Sequence, residues 1–557
     1  MTTIPALAEV YANVSSLLAT PSTILGVDTT AGQILAAAAV IGPFSYAVYS
    51  FLLSPLYLSP LSKIPGPPVG WLPGAGNFVE IIKEEVSGLG EEIFEFVSGS
   101  THWKLMKGVS FIPRGGFHSC AGPRNTALVY HSLFNTPRIL LTDPKLIQQT
   151  IGSNAYDYPK STFMRKSIGR ILGIGLLFAE GDEHKYQRKM LNPAFSLRYI
   201  REIVPIFFGP AMELRNLWRA EMIGEDSAEL DILDGMSKAT LDIIGLAGFG
   251  YDFQAIKSEP DSPNELNKAY TFIFSPRPRL PNLLGQYIPI LGKLLRASDL
   301  PMRRALETVN KVSKELVTEA KTRKVAGKQG MDLLSILVNE KNEETGEPMN
   351  DVDLQAQIMN FLAAGHETTS VSTTWCLYLL AQKPQIQAAL RAEVAPLFQS
   401  LDRDSLPTYD SINQLDLLNR VVKETLRLIP PVPMTNRVNL HDTELGGYHI
   451  PKGTIIFYSA AVTQRDERVW GPDAFEFNPD RWLEEPARSI GPYTYMPFLT
   501  GVRQCIGNKF ALMEMKVLIA TLVAAFVFKE KEGWVVTKKQ SITWRPHPGV
   551  RLVVERA

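Results

Sequence analysis

The sequence predicts a mainly helical protein with short strands, attached to a membrane by one N-terminal helix. Three observations lead there. An uncharged run of twenty residues lies near the start, a helical pattern of about thirty residues lies further on, and an apolar-periodic segment follows a lone cysteine near the end. The 557 residues are 45% hydrophobic and 20% charged, enough to bury a large core. Lys+Arg and Asp+Glu balance at 57 each and no basic stripe interleaves with aromatics, so no nucleic-acid partner is expected. Cys120, Cys376 and Cys505 are too far apart for a structural zinc or a disulfide framework, so the folded part reads as reduced and cytosolic.

The first element is the run Ile34 to Leu53, without a charge and interrupted only by Pro43. Twenty residues rising about 1.5 Å each cross a hydrocarbon core of roughly 30 Å. The first 62 residues hold no Lys or Arg, and the first positive charge is Lys63. The excess of positive charge on the cytosolic side of a span then puts everything after it in the cytosol. A cleaved signal peptide would need a basic start and a mitochondrial presequence would need arginines; both are missing. The expected organisation is an N-terminal segment 1–53 holding the anchor, a stiff proline-rich linker 54–74, and a folded domain 75–557. GAGNFV, from Gly74, lacks a third glycine and a preceding strand, so it is no nucleotide loop.

The longest helical pattern runs from Asp351 to Gln382, about 47 Å, and stops before Lys383-Pro384. Within it AAGHETT, Ala363 to Thr369, puts a carboxylate, hydroxyls and a glycine where a core helix prefers leucine. Gly365 would let something approach the backbone, and Thr368 lies three residues on, over the same face. Glu367 and Thr368 could pass protons; a helix contact with the threonine bonded to its own preceding turn fits the pattern as well. His366 reads as a satisfied core histidine and is given no role.

KETLRLIPPVP places Glu424 and Arg427 three apart on an amphipathic helix that Pro430 and Pro431 end. Alone, the pair fits an ordinary surface salt bridge worth a few tenths of a kcal/mol. Arg481, in FNPDRW, could lock a carboxylate bidentately.

FLTGVRQCIG, Phe498 to Gly507, explains the lone cysteine. The apolar-periodic run after it would put Cys505 at a helix N-terminus, where free N–H groups and the dipole favour a thiolate able to bind a metal. Gly501 permits a tight turn, Gly507 lets a flat cofactor lie close, and Arg503 offers a charge to an acidic group. A haem fits, because an axial thiolate favours O–O cleavage.

These residues resemble the cytochrome P-450 haem-thiolate monooxygenases, from about Lys63 to the end. FLTGVRQCIG matches F-x-x-G-x-R-x-C-x-G in full, with Phe498, Arg503, Cys505 and Gly507 at its fixed positions. AAGHETT matches the oxygen-activating A-G-x-D/E-T-T, and ETLR matches the E-x-x-R pair that joins Arg481 in a structural triad. By the same resemblance Arg188 of HKYQR faces one haem propionate and Arg437 of PPVPMTNR the other. His184 stands where many members carry tryptophan, and Val502 where many carry proline.

The resemblance implies the cytochrome P-450 fold, mainly α with a small β lobe, behind a single-pass anchor in the endoplasmic reticulum. It implies haem b with Cys505 as axial thiolate, O2, proton delivery by Thr368 and Glu367, and electrons from NADPH through a separate reductase, with cytochrome b5 as a further partner. With about fifty residues from Cys505 to Ala557, no flavin domain is expected after the haem-loop helix. Lys185, Lys189, Lys509 and Lys516 would flank the docking face, although they fit an ordinary solvated face equally well. The substrate pocket would draw on Thr162 to Phe178, on Phe361, Leu362 and Ala364, on Val432 to Thr435 including Met434, and on Gln540 to Thr543 including Ile542. Such a lining suits a lipophilic small molecule of secondary or lipid metabolism or detoxification. An oxygen-independent isomerase or dehydratase on the same fold, and a non-catalytic haem sensor, are the alternatives.

Overall fold

A computed structural model of the chain describes residues 21–24, 27–66, 127–132, 135–222, 224–258, 263–275, 290–291, 294, 299–327, 330, 332–340, 346–399, 406–540 and 542–557. Cys120, GAGNFV, the linker beyond Gly66 and the expected domain start at 75 lie outside the described residues.

Strands β1 (Pro21–Ile24) and β2 (Val27–Thr30) pair antiparallel and lead into α1 (Ala31–Val48). Thr30 caps that helix, its side chain accepting from the Gln33 amide. The helix continues in wider turns through Tyr49–Leu58. Within Ala39–Lys63 an 18-residue window has a mean hydropathy of 1.4 with 6% of it buried, so this helix is long and apolar enough to cross a membrane. The extended linker expected from Ser54 is not what forms. The chain stays helical to Leu58 and turns at Pro60–Lys63, and Leu61 and Ile64 enter a core with Ile139, Leu141, Ile456 and Tyr458. Burying two large apolar side chains outweighs a solvated extended path, and Pro60 starts its turn where no amide hydrogen is needed. Pro65 then accepts the Val129 amide at 2.9 Å, and a Cβ on Gly66 would meet Val129 O at 1.8 Å.

Next come β3 (Ala127–His131), β4 (Pro137–Leu141), α2 (Thr162–Leu172), α3 (Gly181–Leu191) and α4 (Leu197–Glu221). They are followed by β5 (Ser227–Asp231), α5 (Ile232–Ile244), α6 (Glu265–Phe274), α7 (Leu300–Val325), α8 (Asp351–Ala381), α9 (Pro384–Val394) and α10 (Asp416–Leu428). The last part holds β6 (Met434–Val438), β7 (Thr443–Leu445), β8 (Tyr448–Ile450), β9 (Ile455–Ser459), α11 (Asn508–Val523), β10 (Phe526–Glu530), β11 (Thr537–Gln540), β12 (Trp544–His547) and β13 (Arg551–Arg556).

The architecture is mainly helical with small sheets. Helix α8 runs through the largest core and packs against α5, α7 and α11. Asn350 caps it, accepting from the Asp353 amide, and Asp351 and Asp353 complement the dipole in the first turn. It ends within one residue of the boundary read from the sequence. Helix α10 has no side-chain cap of its own; the Glu393 carboxylate on α9 accepts the Leu417 and Leu418 amides at 2.9 Å instead. The main sheet has the order β3-β4-β9-β6, with β4 and β9 parallel and the outer pairs antiparallel. Its register sets Arg437 opposite Ile456.

Candidate active site

The turn carrying Cys505 is shaped by its glycine. Gly501 has φ +71°, and a Cβ there would lie 2.5 Å from Ile151 O, so only glycine fits. The returning chain closes when the Cys505 amide donates to Phe498 O at 2.9 Å. Helix α11 begins at Asn508 with Gly507 as its cap, so Cys505 stands just outside the helix. The residue is accessible, yet burial pushes its thiol up. An accessible residue whose thiol is nonetheless desolvated is what a recess enclosed by the fold would give. The Gly507 amide and the Arg188 guanidinium pull the other way, as expected for a residue near a helix start, but here desolvation outweighs them. A coordinated metal would be what makes this thiol a thiolate.

Cations gather at the rim. Arg188 donates to Gln504 O at 2.6 Å and to Asn192 Oδ1 at 3.1 Å. Arg437 is 2% exposed, and its hydrogen bonds among the described residues go to neutral oxygens, Thr435 Oγ1 at 2.9 Å and Asn436 O at 2.7 Å. Arg503 donates to Ala179 O at 2.7 Å and pairs with Glu180. Lys160 also approaches Glu180, 3.9 Å away. Burial, then Arg437, pushes the Lys160 ammonium well below its ordinary range. His184 accepts or donates a 3.2 Å hydrogen bond with Tyr156 Oη, and burial backed by Arg503 pushes its pKa down to about 3. Two guanidiniums, Arg437 and Arg503, and the Lys160 ammonium thus share the carboxylate of Glu180, while Arg188 stands by the cysteine. A site this rich in buried cation fits a group bearing two carboxylates, as haem does. Lys160 and Glu180 were not anticipated from the sequence, because no local spacing marks them.

The opposite wall is α8. Nearly every side chain around its middle is buried, but Ala364 is exposed and Thr368 partly so. One face of the helix is therefore open. The Thr368 hydroxyl donates to Ala364 O at 2.6 Å. Three expectations change here. Gly365 faces α5, where a Cβ would come within 3.1 Å of Ile244 Cδ1, so its missing side chain gives room to isoleucine. Leu362, expected in the pocket, is fully buried, about 200° around the helix from Ala364. Glu367 does not point with Thr368; its carboxylate takes the Thr543 hydroxyl at 2.8 Å and Arg545 at 3.2 Å. Burial, opposed by Arg545 and Thr543, pushes Glu367 up to about 7.

Phe195 links the two walls, 3.6 Å from the Cβ position of Gly507 and with its ring 5.6 Å from that of Phe361. Val432 is exposed, while Met434 and Ile542 are half-buried. The Trp544 amide donates to Pro431 O at 2.8 Å, which brings the segments of Val432 and Ile542 side by side.

Behind the recess lies the expected triad. Glu424 and Arg427 are bidentate at 2.8 Å, and Arg481 Nε reaches Glu424 at 3.4 Å. The pair is no surface salt bridge, since both side chains are fully buried. Gln464, unremarked in the sequence, ties this helix to the cysteine segment by donating to Leu426 O and Arg427 O and accepting the Met496 amide. Of the four lysines, Lys185, Lys189 and Lys509 are exposed; Lys516 is buried and bonded to Asn413 Oδ1 at 2.8 Å, so it offers no open charge.

Comparison with known proteins follows the same lines. The family model described as Cytochrome P450 matches residues 103–552. A cytochrome P450 monooxygenase of Postia placenta is 36% identical over 507 residues, covering 85% of this chain and 87% of that protein. A cytochrome P450 monooxygenase of Aspergillus fumigatus is 32% identical, covering 87% and 86%. A protein of Ganoderma lucidum named a ganoderic acid synthetase is 31% identical, covering 86% and 89%. With its mainly helical fold, the chain belongs to the cytochrome P450 family of haem-dependent monooxygenases.

Proposed function

We propose that the chain inserts one atom of O2 into a lipophilic small molecule, by hydroxylation or epoxidation, and that Cys505 would supply the thiolate holding a haem b, with the Phe498–Gly507 turn and α8 lining its site. The observation that carries this is the buried excess of cation at the rim beside an accessible but desolvated cysteine. Arg188, Arg437, Arg503 and Lys160 would bind the two haem carboxylates, and His184, kept neutral, would stay on Tyr156. Bound haem supplies the reduction of O2 by two electrons and two protons, with one oxygen atom leaving in the product and the other as water.

The residues of α8 do the rest. Thr368 Oγ1 gives its hydrogen to Ala364 O, leaving lone pairs toward the recess that can accept and hand on a proton. Glu367, with a pKa near neutral, could supply that proton to Thr368 once its carboxyl leaves Thr543 and Arg545. Phe361, Ala364, Val432, Met434 and Ile542 offer the substrate an apolar wall. The relative named a ganoderic acid synthetase supports a place in secondary or lipid metabolism. Electrons would come from NADPH through a separate cytochrome reductase, with cytochrome b5 as a second donor, and the exposed Lys185, Lys189 and Lys509 would meet an acidic partner. The apolar helix ahead of Lys63 supports an anchor in the endoplasmic reticulum with the domain in the cytosol.

The test is NADPH-driven oxygen consumption by the purified protein with reductase, across lipophiles chosen by spectral binding. Consumption that rises with a bound lipophile and yields its oxygenated product is the expected result. Turnover of a lipophile with no NADPH or oxygen used would turn the reading to an oxygen-independent enzyme. Cys505→Ala should abolish the red-shifted carbon-monoxide band of a thiolate-bound ferrous haem, and a persisting band would remove Cys505 from the site.

A further inference from the structure

His366 lies at the centre of α8 with no exposed surface, about 200° around the helix from Ala364. Its Nε2 is 2.9 Å from Ser237 Oγ on α5, and the Ser237 hydroxyl donates to Asn267 Oδ1 on α6 at 2.8 Å. A hydroxyl has one hydrogen. With that hydrogen given to Asn267, the serine oxygen can only accept from the imidazole, so Nε2 carries the proton and Nδ1 is a bare acceptor. Burial pushes the imidazole pKa down to about 3, which keeps the ring neutral.

Two groups beside it have no partner among the described residues. They are His366 Nδ1 and the Tyr270 hydroxyl on α6, both fully buried, with ring centroids 5.7 Å apart. An unpartnered acceptor and an unpartnered donor on neighbouring rings, sealed from solvent, are the setting in which one ordered water can bridge buried polar groups. The same face of α5 meets α8 twice more. Thr240 Oγ1 stands 3.2 Å from His366 O, sharing its hydrogen with Met236 O at 2.9 Å, and Ile244 fills the space beside Gly365. Ser237, Thr240 and Ile244 form one stripe at helical spacing. That stripe grips the turn whose other side presents Ala364 and Thr368.

We propose that His366 is a positioning residue: its Nε2–H on Ser237, completed by a water between Nδ1 and Tyr270, fixes the rotation of α8 that aims Thr368 into the recess. The proposal rests on the reading that Thr368 works on the oxygen-binding side. Helix α5 is then the backing of the site, and the histidine is where that backing meets α8.

Three variants of the haem-loaded full chain test it. His366→Leu removes both nitrogens, His366→Gln keeps a donor and an acceptor on a side chain of similar length, and Ser237→Ala removes only the partner. Two readouts need no substrate: amide hydrogen exchange across 360–372, and the rate at which dithionite-reduced protein re-oxidises in air-saturated buffer. His366→Leu should raise both about fivefold, the equivalent of one buried hydrogen bond, and His366→Gln should return both toward the parent. If His366→Leu does not accumulate as folded protein, Ser237→Ala carries the same expectation. Thr368→Ala, measured alongside, should alter re-oxidation without altering exchange. Parent-like exchange in both His366→Leu and Ser237→Ala, or a glutamine variant no better than the leucine one, overturns the proposal. If Thr368→Ala changes neither readout, the reading of Thr368 fails, and exchange alone still decides whether His366 holds the turn.

Discussion

Glu424 and Arg427 meet through two 2.8 Å hydrogen bonds with no part of either side chain exposed. Arg427 also donates to the carbonyls of Gln464, Ala474 and Glu476, and Glu424 also accepts from Asn478, Arg481 and Trp482. Every donor and acceptor here is committed. Glu424→Ala should therefore leave two buried guanidiniums short of a partner and cost about 3–5 kcal/mol. The expected outcome is protein that is insoluble or lacks haem, measured as soluble haem per unit of expressed chain. A variant with parent-like yield and thermal midpoint would contradict it.

Thr368→Ala should leave haem content and spectral substrate affinity close to the parent, because among the described residues the hydroxyl bonds within its own helix. Product per NADPH should fall by about 10²-fold or less, since water and Glu367 can partly take over, with hydrogen peroxide rising in its place. Unchanged product per NADPH would make Thr368 a packing residue.

Glu367 links stability to pH. Its folded pKa of about 7 lies above the ordinary carboxyl value, so the folded chain binds this proton more tightly than the unfolded one. The resulting stability is fully present below the unfolded pKa, near about 4.3, and is lost as pH rises through about 7. Between about pH 4 and about pH 8 the parent should lose about 3 kcal/mol more than Glu367→Gln, read by denaturant titration at each pH. Parallel pH curves for the two proteins would show that Arg545 keeps Glu367 charged throughout.

Removing residues 1–58 should release the protein from membranes with its haem spectrum intact, since Leu61 and Ile64 stay in place to fill the sheet core. Removing residues 1–66 should destabilise it as well, by about 3–6 kcal/mol for two large buried side chains. Equal thermal midpoints for the two truncations would argue against that packing.

What the sequence made legible was local. The cysteine turn, the long helix and the Glu-x-x-Arg pair each sit within a dozen or so consecutive residues or follow one periodicity, and each lies close to where it was expected. What it hid were contacts across the chain. Glu180 and Arg503 are 323 positions apart, and Arg545 and Glu367 are 178 apart. Gly365 shows the subtler limit: the sequence marks the glycine, but spacing cannot say which neighbour lies against it, and here Ile244 does. The linker failed for a related reason, because proline content reports stiffness whereas Leu61 and Ile64 decide burial.

The crowd of buried cations around Glu180 has a consequence for the life of the protein in a cell. Without two negative groups among them, Lys160, Arg437 and Arg503 repel one another in a poorly solvated place. A tightly held dianion removes that strain and, at a thousand times its dissociation constant, adds about 4 kcal/mol to the folded state. The amount of this protein that survives synthesis should then follow the supply of its prosthetic group. Cells starved of haem would clear the chain by proteolysis, making iron nutrition a control on its abundance separate from transcription.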